Sequence, residues 1–131
     1  ACRIQLPSGR EVMAVNLHLD WVGDDTLRFA QAEKLAEYLA TLDLPWMLLG
    51  DFNDVPESRT LNLLSAGAVA AAKPAEDRFT FSSTNPQREI DFIFAAPAAA
   101  WNPAWCQVLE APMTSDHRPV LAILELVEEE E

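Results

Sequence analysis

The sequence predicts a mixed α/β domain, a layered α+β sandwich. Three observations predict it: stretches of period-two alternation, two stretches of helical spacing between them, and a run of short strands that follows. The 131 residues suffice for one domain around one core. Half are hydrophobic and 23% are charged, the balance of a globular chain and not of a disordered one. No apolar run approaches the roughly 18 residues that a membrane-spanning helix needs.

Residues 3–6 and 11–19 read as strands joined by Pro7-Ser8-Gly9, a hairpin signal. In the second strand Met13, Val15, Leu17 and Leu19 share one face. Ala14, Asn16, His18 and Asp20 share the other, because side chains alternate with period two. Asp24 and Asp25 offer N-caps to a helix that reaches about residue 42. Leu27, Ala32, Leu35, Ala36, Leu39 and Leu42 recur at helical spacing and form its expected buried stripe. Pro45 breaks that pattern. Trp46-Met47-Leu48-Leu49 is a continuous apolar run, as a central strand buried on both faces requires. It ends at Gly50-Asp51-Phe52-Asn53-Asp54. Pro56 is placed to open a second helix through about residue 66. Residues 67–77 are alanine-rich and fit no single element. Residues 79–81, 90–94, 101–109 and 120–127 read as strands.

The formal charge is −12, from 9 basic and 21 acidic residues. The four glutamates at 128–131 read as a solvated acidic tail. A protein that grips long nucleic acid presents a basic face, because phosphate neutralisation supplies most of the affinity. Here Lys and Arg are scattered singly, so little affinity for duplex DNA is expected. Cys2 and Cys106 fit no metal-ligand spacing and read as incidental thiols, with a disulfide between them left open. The chain starts at Ala1 and enters a strand at once, so a preceding segment is expected, and localisation stays open.

Four short motifs carry candidate chemistry. Gly50-Asp51-Phe52-Asn53 closes a buried strand; an extended chain would point Asp51 and Asn53 the same way. Asn16-x-His18 puts polar groups on one face of a half-buried strand. Asp91 interrupts the apolar strand around Ile90 and Phe92, and a buried carboxylate needs a partner. Ser115-Asp116-His117-Arg118-Pro119 stands before the last strand. Each has a bland counterpart: a turn, a solvent-facing side, an edge aspartate bonded to backbone, a polar loop. No nucleophilic Ser or Cys stands in a recognisable elbow.

Taken in order, the four motifs resemble the endonuclease/exonuclease/phosphatase superfamily. Its later half carries Asn-x-His, a helix, Gly-Asp-Phe-Asn, an Ile-Asp-Phe/Tyr-Ile strand and Ser-Asp-His-x-Pro-Val. The resemblance covers nearly the whole chain. It implies that residues 1–127 are the C-terminal half of a two-sheet, helix-flanked sandwich, with 128–131 as a tail. The activity it implies is divalent-metal-dependent hydrolysis of a phosphoester bond, by a phosphodiesterase, nuclease or phosphatase. Matched residue by residue, Asp51 orients and deprotonates the attacking water, and Asn53 holds that water and a phosphate oxygen. His18 donates to a non-bridging oxygen. His117 contacts the phosphate or moves a proton, with Asp91 as its buried partner. Asp51, Asn53 and Asp116 are the implied metal ligands, an oxygen-rich set that suits Mg²⁺ or Mn²⁺.

The family's earlier half carries an Asn on its first strand and a metal-binding Glu on a later one, and neither has a counterpart here. The resemblance therefore implies an incomplete site. It leaves as alternative a catalytically silent fragment, a folding or interaction unit. Self-association, or pairing with a missing N-terminal half, is expected. Met13, Val15, Leu17 or their strand neighbours would be the surface left bare. The acidic balance favours a phosphoester of a small molecule or lipid head group over duplex DNA.

Overall fold

The computed structural model describes residues 1–127; the acidic tail read at 128–131 lies outside the described residues. In chain order the elements are β1 (Cys2–Gln5), β2 (Glu11–His18), α1 (Thr26–Leu39), β3 (Trp46–Asp51) and α2 (Arg59–Leu64). There follow β4 (Val69–Ala70), β5 (Asp91–Ala96), β6 (Trp101–Val108) and β7 (Val120–Leu126). Five strands form one sheet in the order β1-β2-β3-β5-β4, and β6 and β7 form a second. The expected mixed α/β sandwich forms, with two sheets and few helices. No helix among the described residues is long and apolar enough to cross a membrane. Both cysteines are free, Cys2 exposed and Cys106 buried.

The large sheet has two unlike faces. On one, Val15 and Leu17 of β2, Leu48 of β3, and Phe92 and Phe94 of β5 pack beneath the helices with Ala32, Leu39, Leu61 and Leu64. Phe52, fully buried, meets the rings of Phe92 and Phe94 edge-on at 5.6 and 5.5 Å. On the opposite face, Val12, Met47, Val69 and Ala95 receive Trp101, Leu124 and Leu126 of the small sheet. The Trp101 indole N–H donates to the Ala96 carbonyl there, at 3.1 Å.

Several expectations need correction. The helix starting near residue 24 and reaching 42 is shorter, Thr26–Leu39. Asp25 caps nothing with its side chain; its carboxylate holds Arg59 at 2.7 and 2.8 Å, and Asp24 takes the Thr26 amide instead. Leu27 is not in the buried stripe but 57% exposed. Arg28 takes the inward position, with Nε donating to Asp54 and NH1 to the carbonyls of Asp20 and Val22. The helix expected from Pro56 begins at Arg59, because Glu57 lies in left-handed backbone (φ 70°) and Ser58 caps from extended backbone onto the Leu61 amide. Residues 79–81 are no strand: Phe81 forms isolated bridges to Arg88 and His117, and the Thr80 hydroxyl takes the amides of Ile90 and Asp91.

The bare surface also differs from the expected one. Val15 and Leu17 are 4% and 8% exposed, because their face is the one the helices cover. The exposed apolar strip lies instead on the outer face of the small sheet. Trp105 and Ile123 are register partners there, with Leu121 beside them.

Candidate active site

The site is built first by strand register. β2 and β3 run parallel and β5 runs antiparallel to β3, which sets His18 opposite Asp51 and Asp51 opposite Asp91. Residues paired in register share a face, so one row of polar side chains crosses three adjacent strands. The row lies on the face of Met47 and Ala95, at the opposite end of β3 and β5 from them. One residue back, the row Leu17–Gly50–Phe92 belongs to the helix-covered face. There β2 and β3 approach so closely that a Cβ on Gly50 would lie 2.0 Å from the Leu17 carbonyl oxygen.

Backbone bonds weld the strand ends together. The Leu19 amide donates to the Asp51 carbonyl at 3.0 Å and the Phe52 amide to the Ile90 carbonyl at 2.9 Å. The chain does not stay extended past Asp51. Asn53 adopts left-handed backbone (φ 49°), and its amide donates to the Asp51 carboxylate at 2.8 Å. The turn and the polar site are thus one structure, since the carboxylate that closes the turn is the one in the row. Asn53 Nδ2 donates to the Leu19 carbonyl at 2.9 Å, which leaves its Oδ1 as an acceptor.

His117 arrives from the loop before β7. Its Nδ1 lies 2.8 Å from Asp91 Oδ2 and its Nε2 3.6 Å from Asp51 Oδ2. His18 Nε2 is 3.4 Å from that same Asp51 oxygen. One carboxylate oxygen therefore stands between two imidazoles, one largely exposed and one three-quarters buried. The loop is held by a segment that the alternation alone made look like a strand. Ser83 donates its amide to the Asp116 carbonyl and Arg118 donates its amide to the Thr80 carbonyl, both at 2.7 Å. The Phe81 ring lies against the His117 ring at 5.0 Å.

Thr80 is the positioning residue that sequence reasoning missed. Fully buried, it anchors the start of β5 and hence Asp91. Its only signal was a hydroxyl between two phenylalanines, which alternation assigned to a strand face. Asp116 stands apart from the row. It is exposed, and its carboxylate accepts from the Ser115 hydroxyl at 3.3 Å.

Electrostatics separate the two central groups. Burial raises the Asp51 pKa, and Asp91 adds to the rise against the opposing Asn53 amide and the two histidines. Burial works against a charged His117. The Asp91 hydrogen bond, with the charges of Asp91, Asp51 and Asp116, outweighs it and raises the imidazole above its ordinary value. Asp51, Asp91 and His117 also each offer a ligand atom, all within 4.8 Å of one another, so the three together could hold a metal ion.

The family model described as Endonuclease/Exonuclease/phosphatase family matches residues 4–117. Solved structures match over nearly all of the chain. An endonuclease/exonuclease/phosphatase from Bacteroides vulgatus is 27% identical with a TM-score of 0.75, covering 92% of this chain and 51% of that one. The mannosyl-6-phosphatase Bt3783 of Bacteroides thetaiotaomicron is 24% identical with a TM-score of 0.73, over 91% and 53%. TDP2 of D. rerio, complexed with a single-strand DNA product, is 18% identical with a TM-score of 0.72, over 90% and 58%. The chain spans about half the length of the structures it matches. No curated protein matches it.

Proposed function

Because this chain belongs to the endonuclease/exonuclease/phosphatase family, we propose that it carries part of a site for divalent-metal-dependent hydrolysis of a phosphoester bond. The observation that carries the reading is the Asp51 oxygen between the two imidazoles, with Asp91 behind one of them. A phosphoester is anionic and resists attack, so hydrolysis needs a base for water and donors for the phosphoryl oxygens. Asp51, with its raised pKa, accepts a proton from the attacking water. Asn53 Oδ1 orients that water. His18 and His117 present Nε2 donors to phosphoryl oxygens, and Asp91 fixes the His117 tautomer and favours its protonated form.

The donor set fits a hard cation. Asp51 and Asn53 supply oxygens, which suit Mg²⁺ or Mn²⁺. Asp116, outside the row, is the member of the implied set that the geometry supports least. A divalent cation held there neutralises charge on the phosphoryl oxygens. Two or three ligands leave most of such an ion's shell to water, in keeping with a site completed by a second half. Residues 1–127 then act as the C-terminal half of the domain, and 128–131 as its tail. The small-molecule or lipid-head-group preference over duplex DNA rests on the acidic balance.

A second reading, a silent folding or interaction unit, draws on the exposed strip Trp105, Leu121 and Ile123. That strip also supports self-association or pairing with an N-terminal half. Mn²⁺ titration distinguishes the readings, followed by NMR line broadening of the imidazoles beside turnover of a p-nitrophenyl phosphodiester. The expected outcome is broadening of His18 and His117 that Asp51→Ala abolishes. Turnover should be weak with the chain by itself, higher with an N-terminal half added, and lost by about 10²-fold or more in Asp51→Ala. Imidazoles left sharp by Mn²⁺, with turnover indifferent to Asp51→Ala, would leave only the silent unit.

A further inference from the structure

The loop after β2 shows an unusual combination of rigidity and apolar exposure. It runs from Asp20 to Gly23, directly beyond His18 and Leu19. Trp21 on it is 77% exposed, Val22 is 50% exposed, and Val55 beyond Asn53 is 44% exposed. Trp21 and Val22 are not loosely attached. The buried Arg28 donates to the carbonyls on either side of Trp21, those of Asp20 and Val22, at 3.2 and 3.0 Å. The same guanidinium holds Asp54, next to Asn53, at 3.0 Å. Gln31 takes the Asp20 amide, and the Asp20 carboxylate takes the Val22 amide. Leu19 in turn bonds both Asp51 and Asn53. The backbone that carries Trp21 is thus tied to the same frame as the polar row. Three residues of chain keep its Cα within about 11 Å of that of His18.

A buried arginine spent on two loop carbonyls is costly to desolvate. The indole carried on the backbone it holds is largely exposed, so its burial contributes little to the fold. An aromatic face on an anchored loop at the rim of a site binds flat apolar groups at low entropic cost. The charge around the loop narrows the occupant further. Asp20, Asp24 and Asp25 surround it, and Arg59 is already taken by both oxygens of Asp25. A second anionic group, such as the next phosphate of a nucleic-acid backbone, would be repelled.

We propose that Trp21 is a specificity-determining residue that stacks on an uncharged, flat apolar ester group of the phosphoester substrate. This rests on the functional reading above and names its substrate class: monoanionic or dianionic phosphoesters carrying an aromatic group. Calorimetric titration of the full chain with phenyl phosphate and with methyl phosphate, both in Mg²⁺, tests it. Phenyl phosphate should bind about tenfold more tightly than methyl phosphate. Trp21→Ala should erase that preference while leaving methyl phosphate unchanged, and Trp21→Phe should retain most of it. His117→Ala should weaken both ligands together. Equal binding of the two esters by the wild type overturns the role of Trp21 and leaves the phosphoester reading standing. So does an equal loss of both in Trp21→Ala. Failure of the wild type to bind either ester, both by itself and with an N-terminal half added, sinks the phosphoester reading, and this inference with it.

Discussion

The two faces of the large sheet are built from the same three strands, yet they differ in every respect one residue apart. Leu17, Gly50 and Phe92 form a row on the helix-covered face; His18, Asp51 and Asp91 form the next row on the open one. The first is sealed by α1, α2 and the Phe52 ring. The second holds two carboxylates and an imidazole, with a second imidazole brought from outside the sheet. The apolar row thus serves as the foundation of the polar one. A slip of one residue would turn every side chain over, so packing on the dry face sets the spacing on the wet face.

The most severe way to break that coupling is Gly50→Ala. The new Cβ would meet the Leu17 carbonyl oxygen at 2.0 Å, a backbone atom that cannot swing away, and φ at Gly50 is +137°. Separating β2 from β3 would disturb both rows at once. The expected cost is about 4 kcal/mol or more in urea unfolding. Gly9→Ala also sits at positive φ (+85°) but meets nothing within 4 Å, and should cost about 1 kcal/mol. Similar losses in the two variants would mean that backbone strain, not the close strand approach, governs the effect.

Much of this was legible in the sequence, for a physical reason. Strand alternation carries both faces, so Val15 and Leu17 against Asn16 and His18, and Asp91 between Ile90 and Phe92, announce a dry side and a polar side. Which dry side the helices cover was not legible, because both sheet and helices offer apolar surface to a sandwich. Left-handed backbone at Glu57 and Asn53 was hidden as well, since neither is glycine. Both shortened or bent what period alone extended: α2 begins three residues after Pro56, and β3 ends at Asp51. Arg28 in place of Leu27 was missed because burial of an arginine depends on three acceptors outside the helix, two in the loop before it and one beyond β3.

That arginine is a charged group buried on the helix side, and it gives the second way to probe the comparison. Arg28→Met keeps the length and apolar stem but leaves the Asp54 carboxylate, 11% exposed, without its cation. The expected loss is about 3 kcal/mol, the usual penalty for orphaning one member of a buried pair. Hydrogen exchange should quicken at Asp20 and Val22 while the amides of β3 keep their protection relative to global stability. If the loop amides are no faster than those of β3, the guanidinium is only packing filler and the loop is held otherwise.

The gentlest perturbation acts on the wet face alone. Asp91→Asn removes the charge and the acceptor that face His117 Nδ1 at 2.8 Å while keeping the side chain's size. Burial opposes the imidazolium, and the Asp91 hydrogen bond is the largest influence that overcomes it. In metal-free protein the His117 titration midpoint, read from its ring protons by NMR, should therefore fall in Asp91→Asn. The sign for stability follows from the raised folded-state pKa. Protonated His117 contributes stability that is fully present below the ordinary histidine value near 6.5 and fades as pH rises through the folded-state value. Wild type should accordingly lose more stability than Asp91→Asn between about pH 5.5 and pH 8, because the variant has less of this term to lose. Phe92 and Phe94 stay in place beneath the helices, so the unfolding cooperativity should not change. A midpoint for His117 that is the same in both proteins would show that Asp91 orients the ring without setting its charge, and the two faces would then differ in shape more than in electrostatics.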